Sequence, residues 1–291
     1  MRRITVLIIS SNEDPAGCNI KKGLLKKTEW KEINTFEENP VYQHQNMDEL
    51  VMITINDSTI HHENLEEQVK KQLGINPKQA IFITRHRSKT GEPTLSTHPI
   101  GNYGKAEFGG KNKTLPPSSP RLMTELLRKI KKNSKETYHK VCFEVTHHGP
   151  YMSIPTLFTE VGSNQEEWGK QAPADIIAKS LLDLFESYSY EEELPKDIPV
   201  LLGIGGGHYA PRFTDIVLEK KAAFGHMIPG YHIDAGNIDG EMFEKAVNST
   251  PDLYGVYIHK KSLKKSLVTE YKKWFKDHDI NVISSKELDD L

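Results

Sequence analysis

Short apolar runs and amphipathic stretches alternate along nearly all of the 291-residue chain. The apolar runs, which predict buried strands, lie at 4–9, 50–55, 79–84, 138–145, 198–204, 254–258 and 280–284. Because the strands are separated by helical stretches, the pattern favours a largely parallel sheet with helices on both faces. We therefore predict an α/β protein with three α/β/α layers around a mixed, largely parallel sheet.

The amphipathic stretches supply the predicted helices. They cover Leu65–Leu73, Arg121–Lys131, Ala174–Phe185, Pro211–Lys221, Met242–Val247 and Leu263–Phe275. Another helix is predicted to begin at Asp14, since an aspartate followed by Pro15 is typical of a helix N-terminus. An acidic stretch near Glu191–Pro199 is interpreted as a surface connection. With no repeat and no clear boundary, residues 1–291 are predicted to form a single α/β domain.

Two long segments, 85–120 and 146–171, show no clear periodicity and are rich in glycine, proline, hydroxyl residues and histidine. Structureless segments of this length are uncommon inside a compact domain and are usually functional. We expect both segments to be functional loops.

The charge balance argues against a general attraction to nucleic acid. With 38 basic and 40 acidic side chains, any such binding has to come from local patches. The two cysteines, Cys18 and Cys142, lie too far apart in sequence to suggest a disulfide framework, which favours a reducing compartment. The apolar run near the N-terminus is too short to span a membrane. We expect a cytoplasmic protein without a membrane partner, and we take a monomer as the working oligomeric state.

Histidines follow three of the predicted strands. His86 follows the strand at 79–84, His147 and His148 follow the strand at 138–145, and His208 follows the strand at 198–204. Since the carboxyl ends of parallel strands meet at one edge of a sheet, these histidines are expected to converge there. Histidine is the commonest metal ligand, so all four are predicted metal ligands supplied by separate loops. The alternative for any one of them is a structural, hydrogen-bonded side chain.

Two glutamates accompany these histidines. Glu144 and Glu160 are candidates for a carboxylate ligand or a general base, and His147 and His148 are candidates for a catalytic role beside them. A salt bridge is the alternative for Glu144. The chain has no G-x-S-x-G nucleophile motif, and Cys142 lies inside an apolar run, so covalent serine or cysteine catalysis is disfavoured.

A glycine-rich run lies between a predicted strand and a predicted helix. Gly205, Gly206 and Gly207 allow backbone N–H groups to approach an anion or a developing oxyanion. The run lacks the spacing of the dinucleotide fingerprint and the Lys-Ser/Thr of a P-loop. Its alternative is a tight turn from strand to helix.

The segment 85–111 interleaves basic side chains, hydroxyls and aromatics with glycine. Such a composition suits a phosphate-bearing ligand or a single-stranded polynucleotide end. The predicted substrate-binding residues in it are Arg87, His98, Asn102 and Lys111. A solvated, flexible loop is the alternative.

With these motifs the chain resembles the archaeal and plant type of D-aminoacyl-tRNA deacylase. The matching segments are 86–102, 106–110, 144–150, 160–163, 166–168 and 203–214. The resemblance implies hydrolysis of the ester that joins a D-amino acid to the terminal ribose of tRNA. It also implies a zinc requirement and a three-layer fold like those of the phosphorylases and some peptidases.

The resulting hypothesis combines the motifs with the resemblance. Two or three of the histidines at positions 86, 98, 147, 148 and 208 hold zinc, and a zinc-activated water attacks the ester carbonyl. Glu144 or Glu160 handles the proton, the glycine run stabilises the oxyanion, and Arg87 and Lys111 bind acceptor-stem phosphates. Two alternatives stay open, namely a metal-dependent amidase or peptidase of similar fold and a non-catalytic RNA-binding module.

Overall fold

The computed structural model describes residues 5–187 and 197–291. The strands in these ranges are β1 (Thr5–Ser11), β2 (Trp30–Phe36), β3 (Asn39–His44), β4 (Leu50–Ile55), β5 (Pro77–Arg87), β6 (Thr94–Pro99), β7 (Lys140–Phe143), β8 (Thr156–Ser163), β9 (Val200–Ile204), β10 (Ala223–Ile228), β11 (Leu253–Ile258) and β12 (Val282–Ile283). The first residue of the strand predicted at 4–9, and residues 191–196 of the predicted surface connection, lie outside the described residues.

The helices of the described residues flank these strands. They are α1 (Pro15–Lys27), α2 (Leu65–Leu73), α3 (Pro120–Asn133), α4 (Gln165–Trp168), α5 (Gln171–Ser187), α6 (Pro211–Glu219), α7 (Gly230–Asp234), α8 (Gly240–Asn248) and α9 (Lys265–Asp277). In none of the described ranges is a helix both long enough and apolar enough to cross a membrane.

The described strands form two sheets. The larger has the order β2-β3-β4-β1-β5-β8-β6-β7, and the smaller has the order β10-β9-β11-β12. In the larger sheet β4, β1, β5 and β8 run parallel, whereas β6 runs antiparallel to β8 and parallel to β7. All pairs of the smaller sheet are parallel. The predicted α/β fold with a mixed, largely parallel sheet is confirmed.

Local sequence signals explain where the helices begin and end. The Asp14 side chain accepts a hydrogen bond from the backbone N–H of Gly17 at 2.8 Å, as expected of an N-cap, and Pro15 occupies the first turn. Helix α2 ends where Gly74 adopts a left-handed φ of 68° and its N–H donates to the carbonyl oxygen of Lys70.

Alternation along β1 separates the two hydrophobic layers. Val6 and Ile8 join the cluster that packs under α1, α3 and α5, whereas Leu7 and Ile9 join the cluster that includes Leu65 of α2. The first of these clusters extends to Leu201 of β9 in the smaller sheet. Helices therefore cover both faces of the larger sheet, and a shared core joins it to the smaller one.

The prediction that segments 85–120 and 146–171 lack regular structure is wrong. Strand β6 lies in the first segment, and strand β8 with helix α4 lies in the second. Their buried faces carry polar side chains, including Thr94, Ser96, His98 and Glu160, so hydrophobic periodicity does not reveal them.

Candidate active site

Five histidines and two glutamates converge on one face of the larger sheet. They come from β5, β6, β8 and the loops after β7 and β9, and they are His86, His98, Glu144, His147, His148, Glu160 and His208. All four predicted metal ligands and both predicted carboxylates belong to this cluster, which we call the His/Glu cluster.

Strand register explains the convergence. Glu160 of β8 pairs with Thr84 of β5 on one side and with Ser96 of β6 on the other. The side chains of these three residues, and of residues two positions away on each strand, therefore lie on the same face of the sheet. Gly162 pairs with His86, and a Cβ at Gly162 would collide with the Thr94 hydroxyl and would lie 3.2 Å from the His86 ring. The missing side chain therefore leaves room for the imidazole.

The expected reason for the convergence is corrected by this register. Strand β7 runs antiparallel to β5, because β5 and β8 are parallel, β8 and β6 are antiparallel, and β6 and β7 are parallel. The carboxyl ends of β5 and β7 therefore lie at opposite edges. The chain after β7 instead continues beside the chain after β6, where His147 forms a parallel bridge with Ile100, and it brings His147 to the cluster from there.

Glu144 is the centre of the His/Glu cluster and is fully buried. Its Oε2 lies 3.0 Å from Nε2 of His208, 3.1 Å from Nδ1 of His86 and 3.6 Å from Nε2 of His147. Burial alone would raise the pKa of Glu144, but hydrogen bonds from His208 and His86 hold this pKa well below its usual range. Glu144 is therefore an ionised carboxylate that faces three imidazoles.

Glu160 is the second buried carboxylate. Its Oε1 accepts a hydrogen bond from the Thr84 hydroxyl at 2.8 Å, and its Oε2 lies 3.3 Å from Nδ1 of His86 and 3.7 Å from Nε2 of His98. Burial would raise its pKa, but the imidazoles of His86 and His98 beside its carboxylate lower the pKa of Glu160 to about 2.

Backbone carbonyl oxygens orient three of the imidazoles. Nδ1 of His147 lies 2.7 Å from the carbonyl oxygen of Val145, Nδ1 of His148 lies 2.6 Å from that of Gly149, and Nδ1 of His98 lies 3.1 Å from that of Pro99. Since a carbonyl only accepts, Nδ1 carries the hydrogen in each of these rings. In the neutral rings of His147 and His148, Nε2 then keeps its lone pair, as in metal-binding histidines.

The protonation of His147 and His148 suits the same role. Burial, with the charge of nearby histidines, lowers the pKa of His147 well below its usual value and lowers that of His148 to about 4. Both imidazoles are therefore neutral near pH 7, as metal ligands must be.

The cluster contains three overlapping groups whose donor atoms lie within 4.8 Å of one another. These groups are His86-Glu144-His147-His208, His98-His147-His148 and His98-Glu144-Glu160. Among the residues that the structure describes, the buried Nε2 of His98 and Oε1 of Glu144 have no hydrogen-bond partner. Imidazole and carboxylate donors are those that zinc takes, so these residues fit the implied metal.

A cavity of about 770 Å³ opens beside the His/Glu cluster. Its walls include Ser11 at the end of β1, Ser58–Ile60 after β4 and Arg85 at the end of β5, so it lies at the carboxyl ends of these parallel strands. His86, His147, His148, Glu160 and His208 line it from the cluster, and Arg85, Arg87 and Lys89 line it from the end of β5. Phe108, Phe158 and Ile60 add apolar surface.

The predicted substrate-binding residues of the segment 85–111 have different positions. Arg87 lines the cavity, whereas His98 is buried inside the His/Glu cluster. Asn102 lies in the fold, where its Nδ2 donates to the carbonyl oxygen of Gly109 at 2.9 Å. The ammonium of Lys111 lies 3.4 Å from the ring centroid of Tyr151. Of these four residues, all of them described by the structure, Arg87 alone lines the cavity.

Two backbone N–H groups of the glycine run are already hydrogen-bonded within the protein. The N–H of Gly205 donates to the carbonyl oxygen of Ile228 at 2.8 Å, and the N–H of Gly206 donates to the Ser262 hydroxyl at 2.9 Å. These two amides are therefore occupied, and the predicted anion cradle is reduced to Gly207. The run forms a strand-to-helix turn, with φ of 97° at Gly205 and 89° at Gly206, that delivers His208 to Glu144.

Several residues of the site escaped the sequence reasoning. Thr84 donates to Glu160, the Tyr209 hydroxyl lies 3.4 Å from Nε2 of His86, and Trp168 donates to the carbonyl oxygen of His86 at 2.8 Å. Thr84 lies two residues before His86 in a predicted strand, so a period of two places both on one face. Nothing in the local pattern indicates Tyr209 or Trp168.

Comparisons with known proteins identify the family of the chain. Residues 73–283 match the family model described as D-aminoacyl-tRNA deacylase. A D-aminoacyl-tRNA deacylase of Pyrococcus abyssi is 36% identical over 244 residues, which cover 83% of this chain and 85% of that protein. One of Methanothrix thermoacetophila is 33% identical over 290 residues, which cover 98% of this chain and 99% of that protein.

A solved crystal structure, of a conserved protein of unknown function, has the same architecture. It superposes with a TM-score of 0.87 at 29% identity and covers 99% of this chain and 98% of its own. From the family match and the relatives, we conclude that the chain belongs to the D-aminoacyl-tRNA deacylase family.

Proposed function

We propose that this protein hydrolyses the ester between a D-amino acid and the 3′-terminal ribose of tRNA. The observation that carries the proposal is the His/Glu cluster at the wall of a cavity that also carries three basic side chains, Arg85, Arg87 and Lys89. Membership of the family supports the substrate class. A cytoplasmic location follows from the proposal, because tRNA is charged and used there.

The metal of the proposed reaction is zinc. The group His86-Glu144-His147-His208 supplies four donors from three separate segments, and His98 with His148 supplies a second group that shares His147. A zinc ion held by such residues lowers the pKa of water and polarises a carbonyl oxygen.

The two glutamates have different proposed roles. Glu160 lines the cavity, so its carboxylate takes the proton of the attacking water and returns it to the ribose oxygen as the ester bond breaks. Glu144 is fully buried and contacts His208, His86 and His147, so its proposed role is to hold the imidazoles in place. Thr84 orients Glu160 through its hydrogen bond to Oε1.

The cavity offers distinct surfaces to the parts of the substrate. Arg87 and Lys89 suit the phosphates of the tRNA end, since basic side chains position nucleic acid through its backbone. Phe158 and Ile60 suit the aminoacyl side chain, because both are apolar and line the cavity and the Phe158 ring packs against His148.

The test is hydrolysis of D-tyrosyl-tRNA by the purified protein, before and after chelation and after zinc is restored. We expect metal-dependent release of D-tyrosine, and a loss of about 100-fold or more in Glu160→Gln because a general base is removed. Glu166→Gln, at an exposed glutamate in α4, is the control.

Two other outcomes would contradict the proposal. Hydrolysis of small amides without hydrolysis of charged tRNA would identify an amidase or peptidase. Tight RNA binding without any hydrolysis, even with zinc, would identify an RNA-binding module.

A further inference from the structure

Phe108 is an exposed aromatic side chain at the cavity. It is 63% exposed, and of the large hydrophobic side chains exposed in the described residues it is the one that lines the cavity. Exposed apolar surface of this kind marks an interaction site when it lies beside a binding cleft. Phe108 is therefore a candidate contact for the substrate.

The backbone that carries Phe108 is held by three hydrogen bonds. The carbonyl oxygen of Phe108 accepts from the N–H of Gly149 at 2.9 Å, the N–H of Gly110 donates to Glu63 at 2.7 Å, and Asn102 donates to the carbonyl oxygen of Gly109. The ring is thus presented from a fixed loop, and little conformational entropy is lost when a ligand packs against it.

Close packing beneath the loop reinforces this arrangement. Gly109 and Gly110 have φ of 73° and 79°, and a Cβ at Gly109 would collide with the carbonyl oxygen of Ile60. The loop therefore lies directly on Ile60, which lines the same cavity.

We propose that Phe108 stacks on the base of the 3′-terminal nucleotide of the tRNA. This inference rests on the proposed function, in which the ribose of that nucleotide carries the scissile ester beside the His/Glu cluster. Its base is joined to that ribose and is single-stranded, and proteins bind such bases by stacking them on aromatic rings. Arg87 and Lys89, on the same cavity, match the adjoining phosphates.

The aminoacyl side chain is a poorer match for Phe108. Phe158 lies against the imidazoles, with its ring centroid 5.0 Å from that of His148 and 5.4 Å from that of His98. It therefore offers apolar surface next to the reacting carbon. Phe108 is the more exposed of the two rings, which suits a contact with the part of the substrate that leads out to the tRNA.

The experiment uses a short single-stranded RNA that ends in CCA, with fluorescent 2-aminopurine in place of the terminal adenine. Stacking quenches this fluorophore, and the readout requires no hydrolysis. We expect quenching with the natural protein and with Phe108→Trp. In Phe108→Ala we expect the quench to be lost and Kd to rise about tenfold, as the loss of one stacked base predicts. Tyr254→Ala, at an exposed aromatic outside the cavity lining, is the control.

Kinetics on D-tyrosyl-tRNA give a second readout. Phe108→Ala should raise KM about tenfold with kcat within about twofold, and Phe108→Trp should restore KM. Unchanged quenching and Kd in Phe108→Ala, or an absence of RNA binding by the natural protein, would overturn the inference. Phe108-dependent quenching without hydrolysis would instead overturn the proposed function and leave the stacking role standing.

Discussion

Glu144 and His208 join the two sheets at the candidate active site. Oε2 of Glu144 lies 3.0 Å from Nε2 of His208, and beside this contact the N–H of Val145 donates to the carbonyl oxygen of His208 at 2.9 Å. Glu144 follows β7 of the larger sheet, and His208 follows β9 of the smaller one. The His/Glu cluster is therefore complete only when the two sheets pack together.

Glu144→Gln should disrupt the cluster without changing its shape. The amide keeps the volume of the carboxylate but loses the charge that faces His208, His86 and His147. We expect the bound metal to fall and kcat/KM on D-tyrosyl-tRNA to drop by about 100-fold, in line with the loss of two charge-assisted hydrogen bonds. Elemental analysis and the deacylation assay measure these effects, and full metal content with full activity would contradict them.

His147→Ala should lower metal content more than any single change at a histidine outside the cluster. His147 belongs to two of the candidate ligand groups, and its Nε2 faces Glu144. The matched control is His232→Ala, because His232 is also partly buried but hydrogen-bonds to Asn237 and belongs to none of the candidate ligand groups. Metal per chain, measured after dialysis, should fall in His147→Ala and stay unchanged in His232→Ala. Equal metal content in the two variants would remove His147 from the ligand set.

Hydrophobic periodicity predicts the strands of the apolar core better than the strands that carry the polar residues of the site. The strands centred on Ile8, Ile53, Ile81 and Leu202 are continuous apolar runs, and hydrophobic periodicity finds them. Strands β6 and β8 are equally buried, but they carry hydroxyls, His98 and Glu160 on the face that forms the site. Because these polar site residues interrupt the apolar pattern, hydrophobic periodicity does not find the two strands.

The sequence indicates the residues of the His/Glu cluster but not their geometry, nor the neighbouring Thr84, Tyr209 and Trp168. Histidines beside glycine and proline indicate the members of the cluster, because such residues seldom accumulate in a packed core. The direction of β7 relative to β5 depends on pairing with β6 and β8, which no local pattern encodes. The occupied amides of Gly205 and Gly206 likewise depend on distant partners, Ile228 and Ser262.

Thr84→Val should weaken catalysis through Glu160. Valine keeps the shape of threonine but removes the hydroxyl that donates to Oε1 of Glu160. We expect kcat to fall about tenfold, the magnitude of one hydrogen bond to a charged group, with KM little changed. Thr84→Ser restores the donor and should restore kcat. If Thr84→Val and Thr84→Ser lose kcat equally, packing rather than the hydrogen bond is responsible.

Asp14→Ala should destabilise the fold next to the cavity. One carboxylate oxygen caps α1 at Gly17, and the other accepts the N–H of Arg85 at 3.0 Å, so the side chain ties the helix to the end of β5. We expect the free energy of unfolding to fall by about 1–2 kcal/mol, the usual cost of losing an N-cap. Urea denaturation measures this change, and Glu13→Ala, at an exposed neighbour, should change it little. Equal destabilisation by both variants would argue against the cap.

Arg87→Ala should weaken tRNA binding in a salt-dependent manner. Arg87 is exposed at the end of β5 and lines the cavity, so its proposed partner is a phosphate of the tRNA end. Removing one phosphate contact should reduce the slope of log Kd against log salt by about 1. Lys78→Ala is a matched control, since Lys78 is an exposed cation near the opposite end of the same strand. The measurement is Kd for tRNA at several salt concentrations. A slope that changes equally in both variants would show that overall charge, rather than the cavity rim, binds the tRNA.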